Sequence, residues 1–106
     1  MAPLLHVHDP LADVVDAPLF IVPRVLDGLR AYRAGSPSVA RLVDTLLAGI
    51  EAHPTKFWVM KQFHTTLEVL DSADTATRDL VAGELETLMD VLGIRSSDGV
   101  LGIGRR

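Results

Sequence analysis

The sequence predicts an all-α protein, a small up-and-down bundle of about four helices with an irregular N-terminal arm. Three observations lead to this prediction. Four segments carry apolar residues at the three- and four-residue spacing of an amphipathic helix. Residues that favour helix starts and stops stand at their ends. The loops left between the segments have only about two to four residues, and such short connections favour antiparallel neighbours.

Prolines and an N-cap residue define the first two helices. Helix one should run from Pro23 to about Arg33. Helix two should begin after Ser36, a preferred N-cap, with Pro37 in the first helical position, and end near Pro54. Their apolar stripes are Val25, Leu26, Leu29 and Tyr32 in helix one, and Val39, Leu42, Val43, Leu46, Leu47 and Ile50 in helix two.

Helices three and four complete the predicted bundle, over residues 55–71 and 75–92. Ser72 or Asp74 should cap helix four, and Gly93 should end it with the next residue folded back on the last turn. Their stripes are Val59, Met60, Phe63, Leu67 and Leu70, then Val81, Leu85, Leu88, Met89 and Leu92. The mid-stripe residues Leu46, Phe63 and Leu85 are expected to be almost fully buried.

The chain is predicted to form one domain with three parts. Residues 1–22 are broken by prolines yet rich in large apolar side chains, so we expect a packed arm. Residues 23–94 form the helical bundle, and residues 95–106, which contain several glycines, are expected to be a loose tail. A chain of 106 residues has the usual size of a single domain.

Composition excludes several kinds of partner and chemistry. The net charge of −4 argues against nucleic acid, since phosphate binding needs a basic surface. The absence of cysteine excludes disulfides, thiol catalysis and thiolate metal sites. The apolar run 19–22 is too short to cross a bilayer, and no signal-peptide pattern opens the chain, so we expect a cytoplasmic protein. Arginine exceeds lysine and alanine is frequent, which suggests a GC-rich bacterial genome.

Charge is divided unevenly along the chain. Residues 24–61 hold six basic groups against three acidic ones, whereas residues 68–98 hold eight acidic groups against two basic ones. This division indicates either complementary packing of neighbouring helices or an acidic docking face for a basic partner. The carboxylates of Asp79, Glu86 and Asp90 share one side of helix four and are expected to form a solvated face.

The histidines suggest metal or acid–base chemistry only weakly. His6 and His8 would share a face of an extended segment and could hold a metal together with further ligands. Asp9 could join them if His53 or His64 came near, but Asp9 as the cap of a turn and histidines exposed near a chain end are the more common arrangement, so we expect no metal site. His64 and Glu68 can touch across one helical turn, but a surface pair is the more common arrangement. We therefore predict no catalytic residue and no cofactor.

Helix three carries a second face beside its core stripe. Trp58, Gln62, Thr65 and Val69 follow each other at i, i+4, i+7 and i+11. A helix with two apolar faces packs against two different surfaces, and one of these is the rest of the bundle. The other is either the N-terminal arm or a partner protein, and tryptophan is enriched at interaction hot spots. These four residues are the predicted interaction surface.

On this basis the expected function is that of a non-enzymatic protein-interaction module, such as a small bacterial binding, adaptor or immunity-type protein. One alternative is a helical enzyme or small-molecule-binding subunit with a pocket under the arm. Another is a self-associating domain whose acidic and basic halves meet across a symmetry axis. Polar side chains clustered inside the bundle would favour the enzyme, and an apolar interior would favour the interaction module.

Overall fold

The fold contains four α-helices in the expected order. A computed structural model describes residues 11, 14–70, 72–97 and 100–102 of the chain. The helices are α1 (Pro23–Ala31), α2 (Pro37–Gly49), α3 (Lys56–Val69) and α4 (Thr75–Leu92), followed by one short 3-10 turn, Val100–Gly102, called here the C-terminal turn. The prediction of a small all-α bundle is confirmed. None of the described helices combines the length and the apolar composition that a membrane span requires.

Local capping fixes where the last three helices begin and where α4 ends. Ser36, Thr55 and Asp74 each accept, through a side-chain oxygen, a hydrogen bond from the backbone N–H three residues later, at 3.2, 3.3 and 2.8 Å. Gly93 adopts the left-handed conformation with φ of 77°, and the N–H of Ile94 reaches back into the last turn of α4. These contacts satisfy backbone groups that a helix end otherwise leaves unpaired.

The apolar stripes of all four helices meet in one core. Leu46, Phe63 and Leu85 are fully buried, as predicted. In the packing, α2 is central and contacts α1, α3 and α4, while α1 also contacts α4. Although α3 and α4 follow each other in sequence, they are not one of the main helix pairs, and α3 packs instead against the C-terminal turn.

The described part of the N-terminal arm is attached to the start of α3. Pro18 and Thr55 form an isolated antiparallel bridge. The N–H of Leu19 donates to Pro54 O at 2.7 Å, and the N–H of Lys56 donates to Ala17 O at 2.8 Å. Asp16 Oδ1 accepts a further bond, at 2.8 Å, from the N–H of the residue that follows Lys56. The arm thus supplies backbone pairing to a loop and a carboxylate to a helix N-terminus.

The expectation of a loose tail over 95–106 is wrong for Val100 and Leu101. These side chains are only 0% and 6% exposed and belong to the core. A turn closed by the bond from Val100 N–H to Ser97 O, at 3.1 Å, brings both side chains onto the bundle. Their hydrophobic burial outweighs the local flexibility that the neighbouring glycines suggest.

Candidate functional site

A groove of about 160 Å³ lies between α2 and α3, and we call it the α2–α3 groove. It exists because the apolar stripes of both helices turn towards the core and leave their adjoining flanks to form two walls. Four residues of each helix line it: Ser38, Arg41, Leu42 and Thr45 of α2, and Gln62, Thr65, Thr66 and Val69 of α3. Leu42 and Thr66 are buried, whereas Val69 at the rim is 64% exposed.

Three of the polar side chains in the groove are bonded within their own helices. Thr45 Oγ1 donates to the backbone oxygen of Arg41 at 3.0 Å, and Thr65 Oγ1 donates to that of Lys61 at 3.1 Å. Gln62 Nε2 donates to Trp58 O at 3.2 Å. Each bond spans one helical turn, so these donors are already engaged.

The other three polar side chains of the groove have no partner in the described part of the chain. Arg41 makes no ion pair, and the hydroxyls of Ser38 and Thr66 make no hydrogen bond. Thr66 is only 8% exposed. The groove therefore combines apolar walls with a guanidinium and two hydroxyls that a bound molecule can engage.

Trp58 lies one turn before this groove and packs on the end of α2. A Cβ atom added to Gly49 would approach Trp58 Cζ2 to 2.6 Å, so only a glycine admits the indole at this distance. The ring also stacks on His53, with centroids 5.5 Å apart and planes 20° from parallel. Of the four residues in the predicted interaction surface, Gln62, Thr65 and Val69 line the groove together, while the indole of Trp58 contacts α2 outside it.

A second polar cluster ties the loop after α1 to α4. Glu84 Oε1 accepts hydrogen bonds from the hydroxyl of Tyr32 at 3.0 Å and from the N–H of Gly35 at 2.6 Å. Glu84 is nine-tenths buried, and its Oε2 has no hydrogen-bond partner. Helix α1 ends at Ala31, before the expected Arg33, and Tyr32 is extended with ψ of 130°, the conformation from which its hydroxyl reaches Glu84.

The same cluster changes the acidity of the tyrosine. Burial, followed by the hydrogen bond to Glu84 and the charge of that carboxylate, raises the pKa of Tyr32 from 10.0 to about 12. All three influences disfavour the phenolate. Tyr32 therefore acts as a neutral hydrogen-bond donor over the physiological pH range, which suits a structural link between the loop and α4.

Comparison with protein families gives one match, to the family described as Domain of unknown function (DUF4844), over residues 33–102. The chain belongs to this family. No curated protein and no solved structure matches it. The region shared with the family spans α2, α3, α4 and the C-terminal turn, so it contains both walls of the α2–α3 groove, together with Gly35 and Glu84.

A cleft of about 370 Å³ lies between the arm, which is outside the family match, and the end of α4, which is inside it. Residues 18–22 and the start of α1 form one side, and residues 90–93 form the other. Arg24 and Asp90 are among its lining residues, and neither makes an ion pair within the described part of the chain. Phe20 in its wall is 84% exposed. Among the described residues, this cleft corresponds to the expected ligand pocket under the arm.

The described histidines and surface carboxylates do not cluster into a metal site. His64 Nδ1 lies 3.7 Å from Glu68 Oε1 on α3, with the imidazole largely buried and the carboxylate exposed. The described residues contain no group of three or more histidines or carboxylates that could hold a metal ion. His6 and His8 lie outside the described residues. Asp79, Glu86 and Asp90 are exposed, as expected of a solvated face.

Sequence reasoning missed Arg41 and Glu84. The second face was predicted on α3 alone, so the α2 wall was missed, together with Arg41, which lies next to the stripe residue Leu42. Glu84 directly precedes Leu85 and lies three residues after Val81, on the buried side of α4. A carboxylate at such a position signals a buried polar contact, because charged residues are seldom buried without a partner.

Proposed function

We propose that this protein is a non-enzymatic interaction module that docks a partner protein on the α2–α3 groove. The observation that carries the proposal is the combination, in one groove, of exposed apolar surface at Val69 with the guanidinium of Arg41, which makes no ion pair with a described residue. Exposed apolar surface beside polar groups is typical of sites that another protein covers.

The character of the interior supports binding over catalysis. Among the described residues, the buried polar side chains are Thr66 and Glu84, and the rest of the core is apolar. Glu84 accepts hydrogen bonds from Gly35 and from Tyr32, whose phenol stays protonated at physiological pH, and no further titratable group among the described residues is bonded to it. Catalytic sites need convergent acid, base or nucleophilic groups. An apolar interior with one structural carboxylate fits an interaction module.

The proposal extends to the setting in which the protein works. An acidic chain without cysteine, in which arginine exceeds lysine, suits a bacterial cytoplasm. Its net charge of −4 disfavours nucleic acid and anionic membrane surfaces as partners. We therefore expect the partner to be a protein.

A small-molecule-binding subunit is the second candidate, and the cleft under the arm favours it. Its volume of about 370 Å³ falls at the lower end of the roughly 300–1,000 Å³ typical of ligand pockets. The strong exposure of Phe20 leaves one wall of this cleft open to water. Self-association remains the third candidate and would require two copies to bury a common face.

The docking proposal can be tested by comparing two exposed apolar positions. Val69→Glu places a charge in the α2–α3 groove, while Leu80→Glu places one on an exposed part of α4 outside it. Tagged full-length variants are used to capture proteins from a cell extract, and a purified candidate is then titrated. We expect a protein that binds the wild type and Leu80→Glu but not Val69→Glu. Equal binding to both variants would exclude the groove as the docking surface.

A further inference from the structure

We infer that the segment docked in the α2–α3 groove is acidic, with a carboxylate placed against Arg41 and an adjacent aliphatic side chain placed against Leu42 and Val69. This inference rests on the docking function proposed above and specifies the chemistry of the partner. It draws on the charge, the unused hydrogen-bond donors and the size of the groove.

Charge is the first argument. Among the described residues that line the groove, Arg41 is the charged one, and it makes no ion pair with another described residue. A guanidinium presents its N–H groups in a planar fork that matches the two oxygens of a carboxylate. Phosphate-bearing segments are usually held by clusters of arginines, and this groove offers only one. The arrangement therefore favours a carboxylate over a phosphorylated residue.

The unused hydroxyls provide the second argument. Ser38 and Thr66 line the groove, and their hydroxyls make no hydrogen bond within the described part of the chain. A carboxylate accepts about four hydrogen bonds, and the bidentate fork of one guanidinium donates two of them. Hydroxyl donors on both walls can satisfy the remaining lone pairs.

Size is the third argument. The groove volume of about 160 Å³ is close to that of the roughly 150 Å³ engineered cavity that binds benzene. It is below the roughly 300–1,000 Å³ of pockets for drug-sized ligands. The space accommodates one or two side chains of a peptide. Because Leu42 forms the floor and Val69 the rim, an aliphatic side chain beside the carboxylate completes the apolar contact.

The test uses a display library of random 12-residue peptides, selected against the folded full-length chain. Enriched peptides are synthesised together with versions in which each Glu or Asp is replaced by its amide. Binding to the wild type, Arg41→Gln, Arg41→Lys and Val69→Glu is measured by calorimetry, with circular dichroism as a check of folding. Arg33→Gln is the matched control, because Arg33 is also exposed and unpaired but lies outside the groove.

We expect the enriched peptides to carry a carboxylate next to an aliphatic residue. Arg41→Gln should weaken the affinity of the acidic peptides about tenfold or more, and so should replacing their carboxylates by amides. Arg41→Lys should retain part of the affinity that Arg41→Gln loses. Arg33→Gln should change the affinity less than about twofold. Peptides lost with Val69→Glu but unaffected by Arg41→Gln would overturn the acidic partner and leave the docking surface intact. If no peptide is enriched, or if the enriched peptides bind with the same affinity after substitution of Arg41 and of Val69, both the acidic partner and the docking surface are contradicted. If Arg41→Gln instead abolishes a dimer of the free protein, the occupant is a second copy and the acidic-peptide inference is wrong.

Discussion

Replacing Glu84 by alanine should destabilise the fold by removing the link between α4 and the loop after α1. The carboxylate accepts two hydrogen bonds, from Tyr32 and from the N–H of Gly35. Hydrogen bonds to a charged group contribute about 1.5–3 kcal/mol each, so the gross loss is about 3–6 kcal/mol. Alanine also removes the desolvation cost of the buried carboxylate, whose Oε2 is unpaired. We expect a net loss of about 1–3 kcal/mol in the free energy of unfolding.

Urea denaturation followed by circular dichroism measures this loss, and Glu84→Gln is the matched control. A glutamine oxygen can accept both hydrogen bonds without placing a charge in the interior. Glu84→Gln should therefore destabilise less than Glu84→Ala. A loss below about 0.5 kcal/mol for Glu84→Ala, the range of ordinary surface substitutions, would refute the assigned role. Equal losses for both variants would show that the charge matters more than the hydrogen bonds.

Alkaline titration tests the same link through Tyr32. Because folding raises the pKa of this phenol from 10.0 to about 12, the native state keeps its proton where the unfolded chain loses it. This contribution to stability is complete below pH 10 and is lost as the pH rises from 10 towards 12. Tyr32 is the one tyrosine of the chain, so tyrosinate absorbance reports its ionisation directly. Tyr32→Phe should remove this part of the loss of stability between pH 10 and 12. If the dependence of stability on pH is the same in Tyr32→Phe and the wild type, the link between Tyr32 and Glu84 is contradicted.

Three further predictions concern the core, the indole and metal binding. Leu46→Ala should cost about 2–5 kcal/mol of unfolding free energy, since Leu46 is fully buried, and an unchanged urea midpoint would show that the core is wrongly assigned. Gly49→Ala should displace the Trp58 indole, red-shift its fluorescence and cost about 1–3 kcal/mol; unchanged emission and stability would contradict the close packing. Zinc should not raise the melting temperature through His6 and His8, and a stabilisation abolished by replacing both with alanine would overturn that expectation.

Where the structure follows local signals, the sequence was sufficient to predict it. The starts of α2 and α4 follow from Ser36 and Asp74, because a capping side chain acts on the N–H three residues later. The end of α4 follows from Gly93 for the same reason. The burial of Phe63 follows as well, because an amphipathic helix packs its continuous apolar stripe against the core.

The features that sequence reasoning missed depend on contacts between distant residues. Glu84 is buried because Tyr32 and Gly35, 52 and 49 residues earlier, supply donors to it. The α2–α3 groove depends on which flanks of two helices adjoin, so the predicted surface on α3 lacked its α2 wall and Arg41. Val100 is buried without helical periodicity around it, and a glycine-rich context concealed its contact with the bundle.

The attachment of the arm bears on how much of the chain is needed to fold. A fragment cut to the family match, 33–102, would lack the Asp16 carboxylate that accepts the N–H of Phe57 at the start of α3. It would also lack α1, whose fully buried Leu29 belongs to the core, and the hydroxyl that binds Glu84. Such a fragment would expose apolar surface on α2 and α4 to water. The cooperative folding unit therefore begins at least as early as residue 16, and any expressed fragment should include it.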